Sequence, residues 1–367
     1  MPARTLLHVG TVKGAYTFES DADRRAWTLL PPVLPEWEIS TLLIDPDDPD
    51  RLMAGTAHYA YGATVRETRD AGETWTQTVL RSPEPPAEHP LKRVWQLVRG
   101  TAAGTFYAGV EEAALYLSAD GGESWAEVEG LTRHPSRPHW MPGAGGLCLH
   151  SILVDPADSR RMWVGISAVG VFGTTDGGET WTAMNAGLPP MVTTGSPAED
   201  AMFCIHRIVR DPANGRLFMQ FHAHTMTPDG TRSSGVFRSD DEGASWQAID
   251  EDLPRKFGFP MALSERSELF VAPLVGDDNR VFDEGRLTVW RSADDGESWS
   301  RLDVPSEGPV YSGILRDAMA LDGAEPTGVY FGTTGGDVWA SPDAGDSWRR
   351  LPARLPRILS VRAHTYA

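Results

Sequence analysis

The chain has only two cysteines, Cys148 and Cys204, among 367 residues, too few to build a disulfide framework. No apolar run approaches the ~20 residues that cross a bilayer as a helix. No charged-then-apolar leader precedes the first strand-like segment, residues 5–9, so a cytoplasmic location without membrane contact is expected. Positive charge is scarce: 33 Lys and Arg against 51 Asp and Glu leave a net charge of −18. Phosphate backbones call for a basic surface, which argues against nucleic acid as a general partner. Anionic membrane surfaces are disfavoured on the same ground. The acidity itself reads as a solubility device.

What is plentiful is turn-forming residues and tryptophan: 37 Gly, 28 Pro and 13 Trp. Scattered in this way, they punctuate many short strands. One pattern recurs, Ser/Thr-x-Asp-x-Gly-x-Ser/Thr-Trp. It runs from Thr68 to Trp75, Ser118 to Trp125, Thr174 to Trp181, Ser239 to Trp246, Ser292 to Trp299 and Ser341 to Trp348. These six copies lie roughly 50 to 65 residues apart, a period typical of propellers and solenoids. A seventh, degenerate copy runs from Ser20 to Trp27, with Ala22 in place of the Asp and Arg24 in place of the Gly. The turn there is expected to have lost its usual chemistry while keeping its Trp. In each copy the Asp (Asp70, Asp120, Asp176, Asp241, Asp294, Asp343) is expected to bond the backbone of a tight turn. The Gly supplies positive φ, and the Trp packs on the sheet.

These motifs resemble the Asp-box (BNR) repeats of sialidases, sortilin-type receptors and bacterial proteins described as glycosyl hydrolase-like. The resemblance covers nearly the whole chain. It implies an all-β, seven-bladed β-propeller with four-stranded blades and Asp-box turns, forming a single domain over residues 1–367. In the second repeat, residues 39–44, 51–55, 63–68 and 76–80 read as the four strands, with a turn at 45–50. The first repeat lacks an inner strand, and the strand-like end, residues 357–363, has no repeat after it. Pairing the two ends closes the ring and removes exposed sheet edges.

In a four-stranded blade the first-to-second and third-to-fourth connections share one end. The second-to-third and inter-blade connections share the other. Asp-box turns therefore occupy one end, and the long irregular loops occupy the opposite one, where function on such a fold concentrates. Seven of the ten histidines (58, 134, 139, 150, 206, 222, 224) map to or near that loop end. Also there are Tyr59, Tyr61, Glu111, Glu112, Trp140, Glu199 and Asp200. The expected ligand-binding set is His58, Glu111, His150, His206, Arg207, His222, His224, Arg316 and Asp317. Arg207 and Arg316 would supply local cations for an anionic or polar ligand, and Asp317 would orient a neighbouring base. No short metal-ligand spacing such as His-Glu-x-x-His is present, so no metal and no cofactor are expected. Cys148 and Cys204, each two residues before a histidine, occupy equivalent strands and are expected to be buried and unbridged.

Sialidase chemistry would need an arginine triad. The early Arg-Ile-Pro-type signature of those enzymes is missing, leaving only Arg4 in the first strand. No catalytic residue is assigned. The expectation is a binding scaffold that presents its loop end to an unknown small-molecule or protein ligand. The alternative is a sialidase-like-superfamily glycoside hydrolase, or another enzyme using His and carboxylates, at the same place.

Overall fold

Each Ser/Thr-x-Asp-x-Gly turn is locked by its own side chains. In the copy at 118–125 the Ser118 hydroxyl donates to Asp120 Oδ1 at 2.8 Å and accepts the Gly122 amide at 2.9 Å. The Ser124 amide reaches Oδ1 at 3.0 Å, and the Ser124 hydroxyl donates to Oδ2. The same network recurs at Asp70, Asp176, Asp241, Asp294 and Asp343. The turn glycines have φ between 86° at Gly296 and 97° at Gly122, where a side chain would be strained.

The degenerate copy at 20–27 keeps more of this turn than its sequence suggests. Arg24 stands in the glycine position and itself adopts positive φ, 56°. The Trp27 indole donates to the Arg24 carbonyl at 3.1 Å, as Trp75 does to Gly72 and Trp181 to Gly178. What is missing is the carboxylate network. In its place the Arg24 guanidinium runs into the interior and pairs with Asp322 at 3.0 Å.

Turns of this kind join short antiparallel strands into sheets. The structure, a computed structural model, describes residues 3–80, 91–189, 203–226 and 232–366, without the side chains of 223–226 and 232–233. Five sheets have four strands each, in simple up-and-down order. The first comprises β4 (Glu38–Asp45), β5 (Asp48–His58), β6 (Gly62–Thr68) and β7 (Thr76–Thr78). The second comprises β8 (Arg93–Arg99), β9 (Phe106–Glu111), β10 (Leu115–Ser118) and β11 (Ala126–Glu127). Next come β12 (Leu149–Val154), β13 (Met162–Ile166), β14 (Gly170–Thr174) and β15 (Thr182–Ala183). They are followed by β16 (Cys204–Arg210), β17 (Leu217–Met226), β18 (Arg232–Ser239) and β19 (Gln247–Ala248). The fifth comprises β20 (Phe257–Leu263), β21 (Leu269–Leu274), β22 (Thr288–Ser292) and β23 (Ser300–Asp303).

The sixth sheet has eight strands. It runs β27 (Arg349–Arg354), β26 (Asp337–Ser341), β25 (Val329–Thr333), β24 (Ile314–Leu321), β28 (Ile358–Tyr366), β1 (Arg4–Thr11), β2 (Gly14–Asp21), β3 (Trp27–Leu29). The C-terminal strand β28 pairs antiparallel with β1 from Arg4↔Tyr366 to Thr11↔Ile358. It also bridges β24 in parallel at Asp317↔Ser360. The first chain segment thus receives its missing strand from the last. In the second repeat the expected turn at 45–50 is shorter, because β5 already begins at Asp48.

Contacts gather into two compact units. One comprises Met1–His58, Arg66–Gln77 and Asp252–Ala367; the other comprises Tyr59–Val65 and Thr78–Glu251. The first is filled by Phe18, Phe270, Phe331, Tyr330 and Ile358, all fully buried. In the second, one cluster gathers around Phe172, Leu149 and Leu131 and another around Phe221, Ile205 and Leu217. Cys148 and Cys204 are buried and unbridged, as expected.

Acid sensitivity follows from the turns. The Thr74 and Ser124 hydroxyls, with the amides of the same residues, hold the Asp70 and Asp120 carboxyls down at about 2. Unfolded, an aspartate titrates near ~3.9. The folded state therefore binds fewer protons in this window. The stabilisation is complete above ~3.9 and is lost as pH falls toward 2. Asp120→Ala is expected to unfold at lower urea than the wild type at neutral pH, the two midpoints converging as pH drops below about 3. A gap that stays constant down to that pH would refute the carboxylate's role.

Candidate functional site

The first strand of every sheet carries a register break, and the breaks fall on the residues of interest. A bulge sets extra residues on one strand against its partner and re-aims their side chains. On β12 it isolates His150, between Leu149↔Ile166 and Ser151↔Gly165. On β16 it isolates His206, between Ile205↔Phe221 and Arg207↔Gln220. The equivalent positions are Ser40 on β4, Trp95 on β8 and Phe259 with Pro260 on β20. On β24 the break is longer, between Ile314↔Thr333 and Met319↔Phe331, and holds both Arg316 and Asp317. Strict alternation would put His206 and Arg207 on opposite faces. Instead Arg207 pairs with Gln220 and Cys204 with His222, so Arg207 shares the face of Cys204 and His222.

Eight of the nine expected site residues have described side chains. His206 and His222 come together: Nε2 of the former lies 3.0 Å from Nδ1 of the latter, and both are buried. Cys204, assigned to packing in sequence, lies with them in one cluster of donor atoms. His150 is buried at its bulge on β12. Glu111, at the end of β9, is buried and accepts the Trp95 indole N–H at 3.1 Å. The Lys92 ammonium is 3.9 Å from the same carboxylate and pairs directly with Glu112. The His58 ring lies 5.2 Å from that of Trp37, tilted by 46°, and the Arg66 guanidinium lies over the Trp37 ring, 4.0 Å from its centre. The side chain of His224 lies outside the described residues, as do Glu199 and Asp200.

Arg316 and Asp317 sit on β24 with different partners. The Arg316 guanidinium lies 4.8 Å from the centre of the Phe259 ring, a cation–π contact. Asp317 receives two bonds from Arg362 Nη2, at 2.7 and 2.8 Å, and another from the Thr41 hydroxyl at 2.9 Å. It therefore orients an arginine of β28 rather than a histidine. Trp95 and Arg362 were not singled out in sequence. Neither stands in a motif, and each gains its partner only through strand pairing.

Large apolar side chains exposed to solvent include three tyrosines: Tyr59 at 98%, Tyr61 at 73% and Tyr311 at 71%. Tyr59 and Tyr61 lie in the second-to-third connection of their sheet, and Tyr311 in a sheet-to-sheet connection. Each therefore emerges at the end of its own sheet opposite the aspartate turns. A groove of about 640 Å³ lies elsewhere, beside the turn at 177–181, and includes none of the nine residues.

Repeated four-stranded antiparallel sheets with these turns define an all-β protein of the β-propeller type. No family model matches the chain. It is 23% identical over 365 residues to an oligoxyloglucan-reducing end-specific xyloglucanase of Emericella nidulans, covering 87% of this chain and 42% of that one. It is 25% identical over 292 residues to a xyloglucanase of a Paenibacillus species, covering 72% of this chain and 26% of that one. The chain thus spans less than half the length of these curated relatives. Among solved structures it resembles the GH74 xyloglucanase of Xanthomonas campestris, with a TM-score of 0.63 and 17% identity over 98% of this chain and 52% of that one. It also resembles YCF48 bound to D1 peptide, with a TM-score of 0.54 and 15% identity over 95% and 85% of the two chains. The expectation of a non-catalytic binding scaffold is overturned by the curated relatives, which favour the glycoside hydrolase alternative. Among the described residues no helix is long and apolar enough to cross a membrane.

Proposed function

We propose that this chain is a seven-bladed Asp-box propeller of glycoside hydrolase type, acting on a glucan-class oligosaccharide at the loop end of its sheets. The observation that carries this reading is the similarity to a named xyloglucanase along 87% of the chain. The blade count rests on five four-stranded sheets plus an eight-stranded sheet that reads as two blades joined through β24 and β28. Exposed tyrosines suit a sugar ligand, because an aromatic face stacks on the C–H face of a pyranose while its hydroxyl remains in water.

Glycoside hydrolysis needs a carboxyl group that carries a proton and a second that is ionised. Glu111 is our candidate for one of the two, since it is buried at the loop end of β9 and accepts the Trp95 indole N–H. The test is incubation with xyloglucan oligosaccharides and with unbranched β-glucan oligosaccharides, with products read by mass spectrometry. Cleavage is expected. Glu111→Gln should lower kcat at least ~100-fold, the range for loss of a general acid or base. Tyr59→Ala with Tyr61→Ala should raise KM about tenfold with little change in kcat, the mark of binding shared by ground and transition states. Absence of both cleavage and binding across the panel would end this reading.

A further inference from the structure

Cys204, His206 and His222 carry chemistry that neither the turns nor the sugar-binding reading uses. Cys204 and His222 are direct register partners on β16 and β17, and the bulge that isolates His206 brings it beside them. The three donor atoms all lie within 4.8 Å of one another, and all three residues are buried, His206 completely. The two imidazole rings are 4.7 Å apart. The Cys204 sulfur is also 3.3 Å from the Ser167 hydroxyl.

The geometry points to a transition-metal site at Cys204, His206 and His222, taking a zinc(II)-class cation through one thiolate and two imidazoles. With Zn–S near 2.3 Å and Zn–N near 2.0–2.1 Å, a tetrahedral ion sets two nitrogens ~3.3 Å apart and a nitrogen and sulfur ~3.5 Å apart. The 3.0 Å between the two ring nitrogens needs to open by only a few tenths of an ångström. The competing state is a self-satisfied network. In it one imidazole N–H donates to the other ring's lone pair, and the thiol bonds Ser167. Metal binding moves the shared proton to the other nitrogen of its own ring and releases the thiol proton, so affinity rises with pH.

The donor set also selects the ion. Calcium and magnesium take oxygen ligands, and among the described residues no carboxylate belongs to this cluster. Thiolate with imidazole suits zinc or copper(I). Sequence spacing hides the site, because His222 follows His206 by sixteen residues and meets it only across a strand pair.

The experiment uses the full chain, stripped with chelator, then titrated with Co2+ and Zn2+. A single ion per chain is expected, with a near-ultraviolet thiolate-to-cobalt absorption band and a raised thermal transition. Cys204→Ser should abolish the band, and His222→Gln should weaken Zn2+ binding at least ~10-fold. Cys148→Ser should change neither, since that thiol faces the Gly145 carbonyl. If Cys204→Ser fails to fold, the wild type still decides the matter, because Zn2+ should protect Cys204 from alkylation as mapped by mass spectrometry. Failure of the wild type to take up Co2+ at micromolar concentration overturns the assignment. So does a band that survives Cys204→Ser, or absence of Zn2+ protection at Cys204.

Discussion

Ending the chain after Pro356 abolishes the cooperative unfolding of the unit formed by Met1–His58, Arg66–Gln77 and Asp252–Ala367. The truncation removes β28, and with it the partner of β1 along its whole length and the bridge to β24. It also strips Ile358 and Val361, both fully buried, together with Ala363 and Tyr366. Burial of an Ile or Val side chain contributes ~1.5–3 kcal/mol. The sum over these residues approaches the whole net stability of an ordinary domain, ~5–15 kcal/mol. Two newly exposed sheet edges add an aggregation hazard. Circular dichroism and thermal melting of the truncated chain check this. A soluble product with an unchanged melting transition would show that β28 is dispensable.

Asp322→Ala has the largest expected effect of any single substitution. This carboxylate is 2% exposed and gathers the Arg24 guanidinium, the Tyr330 hydroxyl at 2.8 Å and the amides of Ala324 and Gly328. Its removal leaves Arg24 buried without its counter-charge, a change that costs ~3–5 kcal/mol in comparable buried pairs. The orphaned Tyr330 hydroxyl adds ~1–3 kcal/mol. Burial, reinforced by the Asp322 charge, pushes the Tyr330 phenol far above its ordinary range, so it stays a neutral donor at every pH of interest. The check is a double-mutant cycle in urea with Arg24→Met. Asp322→Leu with Arg24→Met should recover much of the loss, because no charge is then left unpaired. Equal destabilisation by Asp322→Ala with and without Arg24→Met would show that the pair is not coupled.

The repeat was legible because its chemistry is local. Ser118, Asp120, Gly122 and Trp125 fall within eight residues, and Ser118 and Asp120 bond the backbone of their own turn. The closing strand was legible for a related reason, since a segment without a repeat after it met a repeat without a first strand. Bulges were not legible. Nothing in Leu149-His150-Ser151 or Ile205-His206-Arg207 announces an extra residue. His58, Glu111 and His222, expected in connections, close or lie within strands, and the partners of the site residues come from pairing. Trp95 reaches Glu111 and Arg362 reaches Asp317 across ladders, and Cys204 meets His222 in the same way. Arg24 shows the opposite case. A substitution that looked like decay of the motif proves to be the anchor of Asp322.

The pairing of β1 with β28 has a mechanical meaning. Arg4 lies opposite Tyr366, and the hydroxyls of Thr5 and Thr365 meet at 2.8 Å. Both ends of the chain therefore leave the sheet side by side, from the same end of one antiparallel ladder. Tension applied between them loads that ladder one pair at a time, like a zip, instead of shearing all its bonds together. Any segment joined before Arg4 or after Tyr366 emerges at this corner, and a pull between two such segments would open the fold here first, at low force.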